Sequence, residues 1–333
     1  MKRFASFAAG STAPFLAALA LSVAFWGFVA WDQSHWWRVK DDYSFGWLVP
    51  AFAIFAVYDR WPKIMDALAA CRAAGSPRVR GFARLVLAAG VGLMLVGGAT
   101  MFLLGTFYRA GAGTSQPGTL AITLGMIGLV LPLLLLNAPA ADGTPTPARR
   151  WRDDPRLRLT ACFLFPVLVW LVSAPMVSAV ESQLKLFLLR KVVTVVSFVF
   201  DILGLPIEQQ GSVLVLPNGT VGVEDACSGI RSLTGCLFAG SFLAAIFLDR
   251  LWKKIALVLA ALVLAFLTNL LRGIFLTAWA YRHGPEAIDG VVHDAAGYAV
   301  LGLTVAGLFC LLPLFNLQLG DAADEPQRES PAG

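Results

Sequence analysis

Eight runs of apolar residues, each bordered by polar or charged positions, dominate the pattern of this 333-residue chain. Because the hydrocarbon core of a bilayer is about 30 Å thick, an apolar run of about 20 residues predicts a membrane-spanning helix. The predicted spans are residues 13–31, 45–58, 82–104, 118–137, 157–176, 228–248, 255–280 and 295–316. The second run is short, which leaves open whether the chain crosses there. The pattern predicts an all-α polytopic membrane protein with about eight transmembrane helices.

Two segments between the fifth and sixth runs depart from this pattern. Residues 187–203 are apolar but are interrupted by charged side chains, so we predict one interfacial helix instead of a ninth span. Residues 211–223 form two β-rich runs around Asn218-Gly219, a dipeptide that favours a tight turn. A small extracytoplasmic β-hairpin is therefore expected just before the sixth span.

Composition and charge agree with a membrane protein. The chain is 58% hydrophobic and 14% charged, against about 25% charged residues in a typical soluble domain. With the N-terminus inside, 17 of the 26 Lys and Arg residues fall in the inner segments, as the positive-inside rule requires. These loops account for the net charge of +5, so no nucleic-acid partner is expected. Glycines at 90, 92, 97 and 98 are expected to let helices pack closely.

Three polar side chains stand at the borders of the last three spans. Cys227 opens the sixth span at the outer face, and His293 opens the eighth. Arg272 lies within the seventh, about 12 Å from its outer end at 1.5 Å per residue. A charged residue inside a span is costly and indicates a functional site. Charge counting therefore places three reactive side chains on the same, non-cytoplasmic side.

Four neighbouring residues are predicted to support these three. Arg231 lies one helical turn from Cys227 and competes with Arg272 for the same role, whereas Asn269 is placed to hold the Arg272 guanidinium. The full supporting set is Ser228, Gly229, Arg231 and Asn269. Cys162, Cys236 and Cys310 lie within predicted spans and are expected to be small buried apolar side chains, and Cys71 lies in a cytoplasmic loop. Neither a cofactor nor a metal is expected, because the outer face offers one cysteine and too few well-spaced histidines.

Together the three side chains suit acyl transfer. A thiolate from Cys227 would attack a peptide carbonyl and form a thioester, while His293 moves protons between thiol, leaving amine and incoming nucleophile. Arg272 would donate hydrogen bonds to the developing oxyanion and favour the thiolate. Two other functions stay open. One is an intramembrane-face cysteine protease that uses water, and the other is a transporter or scaffold for an exported polysaccharide.

Three motifs carry a resemblance to a known family. Ala-Cys-Ser-Gly-Ile-Arg-Ser at 226–232, Asn-x-x-Arg at 269–272 and His-Asp-Ala-Ala-Gly-Tyr at 293–298 resemble the exosortase/archaeosortase family. Residues 42–50 are more weakly similar to the family's early Tyr-Ser-x-Gly-x-Leu-x-Pro segment. Many members have a histidine where Phe45 stands here, so Phe45 is assigned no role.

The resemblance implies a bacterial multi-pass enzyme of the cytoplasmic (inner) membrane, a cysteine transpeptidase with its active site on the extracytoplasmic side. Its nucleophile would be Cys227, its oxyanion or thiolate stabiliser Arg272 and its general acid/base His293. Its partners would be exported proteins whose C-terminal tail has a short motif, often Pro-Glu-Pro, a transmembrane helix and a basic cluster. An unidentified lipid or glycan would be the acceptor, and membrane lipids would surround the protein.

The chain is accordingly divided into three parts. Residues 1–158 form an N-terminal membrane region with about four spans and cytoplasmic loops. Residues 159–316 form a catalytic membrane core that includes an extracytoplasmic segment, residues 181–226. Residues 317–333 are predicted to be a flexible cytoplasmic tail.

Overall fold

The computed structural model describes residue 7 and residues 11–140, 144–222, 230–248 and 250–316, and almost all of its regular structure is helical. The first half contains α1 (Ala13–Val39), a 3₁₀ segment (Asp41–Leu48), α2 (Val49–Asp59), α3 (Trp61–Arg72), α4 (Gly81–Ala112) and α5 (Gln116–Leu136). The second half contains α6 (Pro155–Leu168), α7 (Trp170–Ser173), α8 (Ser178–Ile202), β1 (Glu208–Gln210), β2 (Val213–Leu216), β3 (Gly219–Gly222), α9 (Ile230–Phe247), α10 (Leu251–His283) and α11 (Val291–Asn316).

Seven helices in the described part of the chain are long and apolar enough to cross a membrane. They are α1, α4, α5, the α6–α7 pair, α9, α10 and α11. The prediction of an all-α polytopic membrane protein is therefore confirmed. Several helices extend beyond their predicted ends. Helix α10 has 33 residues, so it is about 50 Å long and exceeds the thickness of the hydrocarbon core.

The second predicted span, residues 45–58, does not form one long helix. Helix α2 has only 11 residues and is not among the seven. It follows directly on the 3₁₀ segment, whose last residue, Leu48, precedes the first residue of α2. The two pieces together replace the single helix that the apolar run suggested.

Contacts at both ends show how far these two pieces run. At one end Arg231 of α9 forms an ion pair with Asp41, at 2.7 Å between Nη2 and Oδ2. At the other end Arg60 donates from Nη2 to the Ala245 carbonyl oxygen, at 3.5 Å. Arg231 and Ala245 are 14 residues apart in α9, or about 21 Å. Residues 41–60 therefore run alongside most of a membrane-spanning helix.

The predicted interfacial helix is longer than its apolar stretch. Helix α8 has 25 residues and is not among the seven candidate spans. Its buried side chains, including Val192, Val193 and Phe200, pack against α10 and the sheet in one hydrophobic cluster. Its location at the membrane interface stays a prediction.

The predicted hairpin is part of a three-stranded antiparallel sheet in the order β1-β2-β3. Strands β2 and β3 pair with Leu216 opposite Gly219, so the connecting residues are Pro217-Asn218, one position earlier than predicted. Gly219 has a φ of 139° and lies against Pro285, where an added Cβ would approach the ring to 2.8 Å. A side chain at this position would therefore be strained. The added strand, β1, has no apolar alternation that would have revealed it.

Close packing of α4 on α5 depends on some of the predicted glycines only. A Cβ at Gly98 would meet the Gly128 backbone at 2.7 Å, so the two helices touch through glycine. Among the described residues, nothing lies within 4 Å of such a Cβ at Gly90, Gly92 or Gly97. The expectation of close packing is thus confirmed for Gly98 and is wrong for the other three.

Candidate active site

Helices α10 and α11 form an antiparallel pair that carries two of the three predicted site residues. A short connection with a 3₁₀ turn at Pro285–Ile288 joins them. The pair is held together by a hydrogen bond between the hydroxyls of Thr268 and Thr304, at 2.9 Å, and by Leu264 packed on Gly307. Because α11 begins only at Val291, His293 lies in its first turn.

Arg272 and His293 are in direct contact. Arg272 Nη2 is 2.9 Å from His293 Nε2 and 3.4 Å from the His293 carbonyl oxygen. A guanidinium has donors and no acceptor, so Nε2 must accept this hydrogen bond through its lone pair. The imidazole in this arrangement is therefore neutral, with its proton on Nδ1. Residues 21 positions apart in sequence thus form one polar unit.

This contact changes the depth expected for Arg272. Counting along the chain placed it about 12 Å from the outer end of its span. Helix α10 continues to His283, and its last part packs against α8 and the sheet through Leu276 and Ala280. Arg272 is therefore level with the first turn of α11, where protein contacts replace lipid around the end of α10.

Part of the Arg272 guanidinium has no hydrogen-bond partner in the part of the chain that the structure describes. Its Nε is buried and forms no hydrogen bond within the described residues. Asn269, which was predicted to hold the guanidinium, makes no such bond, and its own buried Oδ1 also lacks a partner there. Gly297 lies beside the guanidinium, with 3.7 Å between Nη2 and the position of a Cβ. A bound ligand could form hydrogen bonds with both of these buried atoms, the donor Arg272 Nε and the acceptor Asn269 Oδ1.

A groove with a volume of about 450 Å³ leads to Arg272 between α10 and α11. We call it the Arg272 groove. Its walls are apolar apart from Arg272, and α11 contributes small side chains. Lining residues are Leu271, Phe275 and Trp279 of α10 and Val292, Ala295, Ala296, Ala299, Val300 and Leu303 of α11, with Val291 at the start of α11. Leu271 and Leu303 are exposed, so the groove is open on the side that faces the lipid.

Arg231, the competing arginine, has different partners. Its guanidinium forms an ion pair with Asp41 and lies 3.9 Å from Asp42, and 63% of its side chain is exposed. Thr234, one turn further along α9, donates to the Asp42 carbonyl oxygen at 2.9 Å. Both contacts attach the 3₁₀ segment to α9.

A charged cluster near this end of the molecule was not expected from the sequence. Glu181 of α8 is 4% exposed and accepts hydrogen bonds from Lys40, at 2.8 Å, and Gln116, at 2.6 Å. Lys185 bridges Glu181 and Asp42, at 3.2 and 3.5 Å. Burial raises the pKa of Glu181, but hydrogen bonds from Lys40 and Lys185 outweigh it and hold that pKa below its usual range. In the sequence, the one local indication of this cluster is the i, i+4 spacing of Glu181 and Lys185, which favours an ion pair on a helix.

The early motif at residues 42–50 contacts α9 and the segment that follows α7. Tyr43 is buried, and its hydroxyl accepts a hydrogen bond from the Met176 backbone N–H at 3.0 Å. Phe45 stacks on Phe238 of α9, with ring centroids 5.2 Å apart. Phe45 thus contributes an aromatic contact to α9.

Cys227, Ser228 and Gly229 lie outside the described residues. The described chain resumes at Ile230, which is fully buried at the start of α9, and α9 packs against both α10 and α11. The cysteines that the structure describes, Cys71, Cys162, Cys236 and Cys310, are free thiols.

Comparison with known families identifies the chain as a whole. The sequence profile of the transmembrane exosortase family (Exosortase_EpsH) matches residues 36–310. This range includes the 3₁₀ segment, the sheet and all three polar motifs. Comparisons with curated proteins and with solved structures gave no match.

Proposed function

Because the chain belongs to the transmembrane exosortase family, a family of transpeptidase-type membrane enzymes, we propose that it removes the C-terminal sorting tail of exported proteins. It does so through a thioester on Cys227 and passes the protein to an acceptor. The observation that supports this most strongly is the contact of Arg272 with His293 beside an apolar groove. This arrangement combines a proton carrier with a fixed cation at the border of a membrane.

In the proposed reaction His293 accepts the proton of the Cys227 thiol, and the resulting thiolate attacks the carbonyl carbon of the peptide bond before the tail. The tetrahedral intermediate collapses when His293 delivers the thiol's proton to the leaving amine. The tail leaves with a new amino terminus, and the exported protein remains bound to sulfur as a thioester. A nucleophilic group of the acceptor then gives its proton to His293, attacks the thioester and restores the thiol.

Arg272 stabilises the oxyanion of both tetrahedral intermediates. Its buried Nε, which has no hydrogen-bond partner among the described residues, and its Nη2 supply donors for developing negative charge in a site of low dielectric constant. When Nη2 turns to the carbonyl oxygen of the bound substrate, the Nε2 lone pair of His293 is released and can accept the proton of the Cys227 thiol. The same arginine thus holds the histidine neutral before the reaction and frees it during the reaction.

The Arg272 groove is the proposed entrance for the substrate. A tail that contains a transmembrane helix is confined to the bilayer, so it must approach the site laterally. The alanines of α11 leave room for a second helix to pack closely, as small residues do in membrane helix pairs. The peptide bond just outside that helix would then lie near Arg272 and His293.

The test is to follow a tagged substrate in cells that carry single cysteine variants. Cys227→Ala is expected to abolish tail removal, and Cys227→Ser to be nearly as inactive, because a hydroxyl is far less acidic than a thiol. Ala variants at Cys71, Cys162, Cys236 and Cys310 are the matched controls and should process normally. Normal tail removal by Cys227→Ala would rule out covalent cysteine catalysis and favour a scaffold or transporter.

Mass spectrometry of the processed protein distinguishes transfer from hydrolysis. An added group on the new C-terminus supports transpeptidation. A free carboxylate on all of the product means that water is the acceptor and that the protein is a cysteine protease.

A further inference from the structure

A second groove lies between the first half of α4 and the end of α5, on helices that carry none of the proposed site residues. Its volume is about 470 Å³, and we call it the Arg84 groove. The apolar walls are formed by Leu87, Ala88, Val91 and Leu95 of α4 and by Leu135 and Leu136 of α5. The same groove is lined by four arginines, which are Arg78, Arg80, Arg84 and Arg156. Leu136 at its rim is 62% exposed, so the groove is open to the surrounding lipid.

The groove exists because α4 and α5 separate on one side of a close contact. At Gly98 the two backbones touch, and an added Cβ would meet Gly128 at 2.7 Å. Nearer the start of α4, an added Cβ at Gly92, which lines the groove, would meet none of the described residues within 4 Å. From Arg84 to Leu95 the lining covers 11 residues of α4, or about 17 Å at helical rise, close to half of the hydrocarbon thickness. The groove therefore has the length of one bilayer leaflet.

Contacts between two loops fix the backbone at the basic end of the groove. Arg78 forms a parallel β-bridge with Pro147, and its N–H donates to the Thr146 carbonyl oxygen at 2.9 Å. Asp154 is fully buried and accepts a hydrogen bond from the Val79 N–H at 3.2 Å. These contacts hold the chain between α3 and α4 beside the groove, so the arginines before α4 start from a fixed backbone.

Arginines outnumber carboxylates at this end of the groove. Asp154 forms an ion pair with Arg156, at 2.8 Å between Oδ2 and Nη2. Among the described residues, no carboxylate forms an ion pair with Arg78, Arg80 or Arg84. The segments that form the groove are residues 78–95, 135–145 and 154–156, which contain four arginines and two aspartates. These segments therefore carry a net charge of +2 even if both aspartates are paired with arginine.

We propose that the Arg84 groove binds one anionic phospholipid, in the leaflet on the side where the positive-inside rule predicts the cytoplasm. Its phosphate lies among the arginines, and an acyl chain runs along the apolar walls between α4 and α5. Charge complementarity carries this assignment, because basic pockets between membrane helices select anionic headgroups and guanidinium groups pair well with phosphate oxygens. A zwitterionic lipid would leave the net positive charge of the groove unmatched. The binding does not depend on the proposed transpeptidase activity.

The experiment uses the purified full-length protein in neutral detergent. Thermal unfolding and equilibrium binding are measured with added phosphatidylglycerol, with phosphatidylcholine and with soluble glycerol phosphate. Arg84→Gln removes one cation of the groove, and Arg84 is exposed near the start of α4, so the fold should survive the change. Arg149→Gln is the matched control, because Arg149 is an exposed arginine of the neighbouring loop that does not line the groove.

A second pair of variants tests the position of the acyl chain. Gly92→Leu places a side chain in the groove, whereas Gly90→Leu adds the same side chain to α4 outside its lining. An added Cβ at either glycine would meet none of the described residues within 4 Å, so neither change should disturb the packing. Weaker phospholipid binding in Gly92→Leu alone would show that the acyl chain occupies the groove.

Phosphatidylglycerol is expected to raise the unfolding temperature of the unmodified protein and of both controls, and phosphatidylcholine to do so much less. Arg84→Gln should weaken phosphatidylglycerol binding about fivefold, and Gly92→Leu should weaken it as well. Equal effects of the two lipids, unchanged binding in Arg84→Gln, or an equal loss in Arg149→Gln would overturn the proposal. Glycerol phosphate that stabilises as much as phosphatidylglycerol, with no effect of Gly92→Leu, would also overturn it, because it would show an anion site without a lipid.

Discussion

Arg272 and Arg231 have different surroundings, although each lies within one of the motifs that resemble the family. The Arg272 side chain contacts His293 and buries its Nε, whereas the Arg231 side chain is largely exposed and paired with Asp41. An exposed ion pair contributes little to stability. The structural difference favours Arg272 for the oxyanion role.

Arg272→Lys should therefore be severely impaired. Lysine keeps the charge but loses the planar, fixed set of donors, including the buried Nε, so it cannot hold His293 and an oxyanion in the same geometry. Loss of an oxyanion donor typically costs on the order of 10²–10³-fold in rate. The measurement is the rate of tail removal at matched protein levels. Arg231→Lys is the control and should lose less than about tenfold. A larger loss in Arg231→Lys than in Arg272→Lys would assign the oxyanion role to Arg231.

At the scale of elements, helices α4 and α5 pack closely because their backbones touch at glycine residues. Gly98 and Gly128 approach so closely that neither position has room for a Cβ, while a Cβ at the preceding residue of α4, Gly97, would meet none of the described residues within 4 Å. In a membrane, where lipid is as apolar as the side chains, such close packing is a main source of helix association.

Gly98→Ala is expected to destabilise the protein by about 1–3 kcal/mol, because the added methyl must push two backbones apart. Gly97→Ala makes the same chemical change without a clash and should be neutral or slightly stabilising. Unfolding of both purified variants in the same detergent checks this. Equal stabilities would mean that α4 and α5 do not meet at Gly98.

At the scale of the whole molecule, the path of residues 41–60 decides the topology. If this segment crosses the membrane, the chain crosses eight times and both termini lie on the same side. If it does not, the seven long helices alone set the topology and every later loop changes side. The contacts at Asp41 and Arg60 with the two ends of α9 favour the crossing.

Reporter fusions test this arrangement. Fusions after residues 40, 112, 215 and 287 should read as exported, and fusions after 75, 148, 252 and 325 as cytoplasmic. The fusion after residue 75 is decisive for the second crossing, and the fusion after 40 is its control. A cytoplasmic signal at 215 or 287 would contradict a shared outer face for the three site residues.

The sequence by itself determined the class of protein, the order of its long helices and the three motifs. Apolar runs of bilayer length require helices, because backbone groups in lipid must be hydrogen-bonded within the segment. The family was also readable, since cysteine, arginine and histidine motifs keep a recognisable order along the chain. None of these inferences needs a partner distant in sequence.

Only the tertiary structure decided which distant residues meet. It paired Arg272 with His293 and Arg231 with Asp41, assembled the Glu181 cluster and added β1 to the sheet. It also showed that α10 continues to His283, beyond its predicted end at residue 280. Protein covers this end of the helix, so hydropathy does not mark where the helix stops. Local pattern reports what each residue prefers, whereas contacts between chain segments depend on how all the helices pack together.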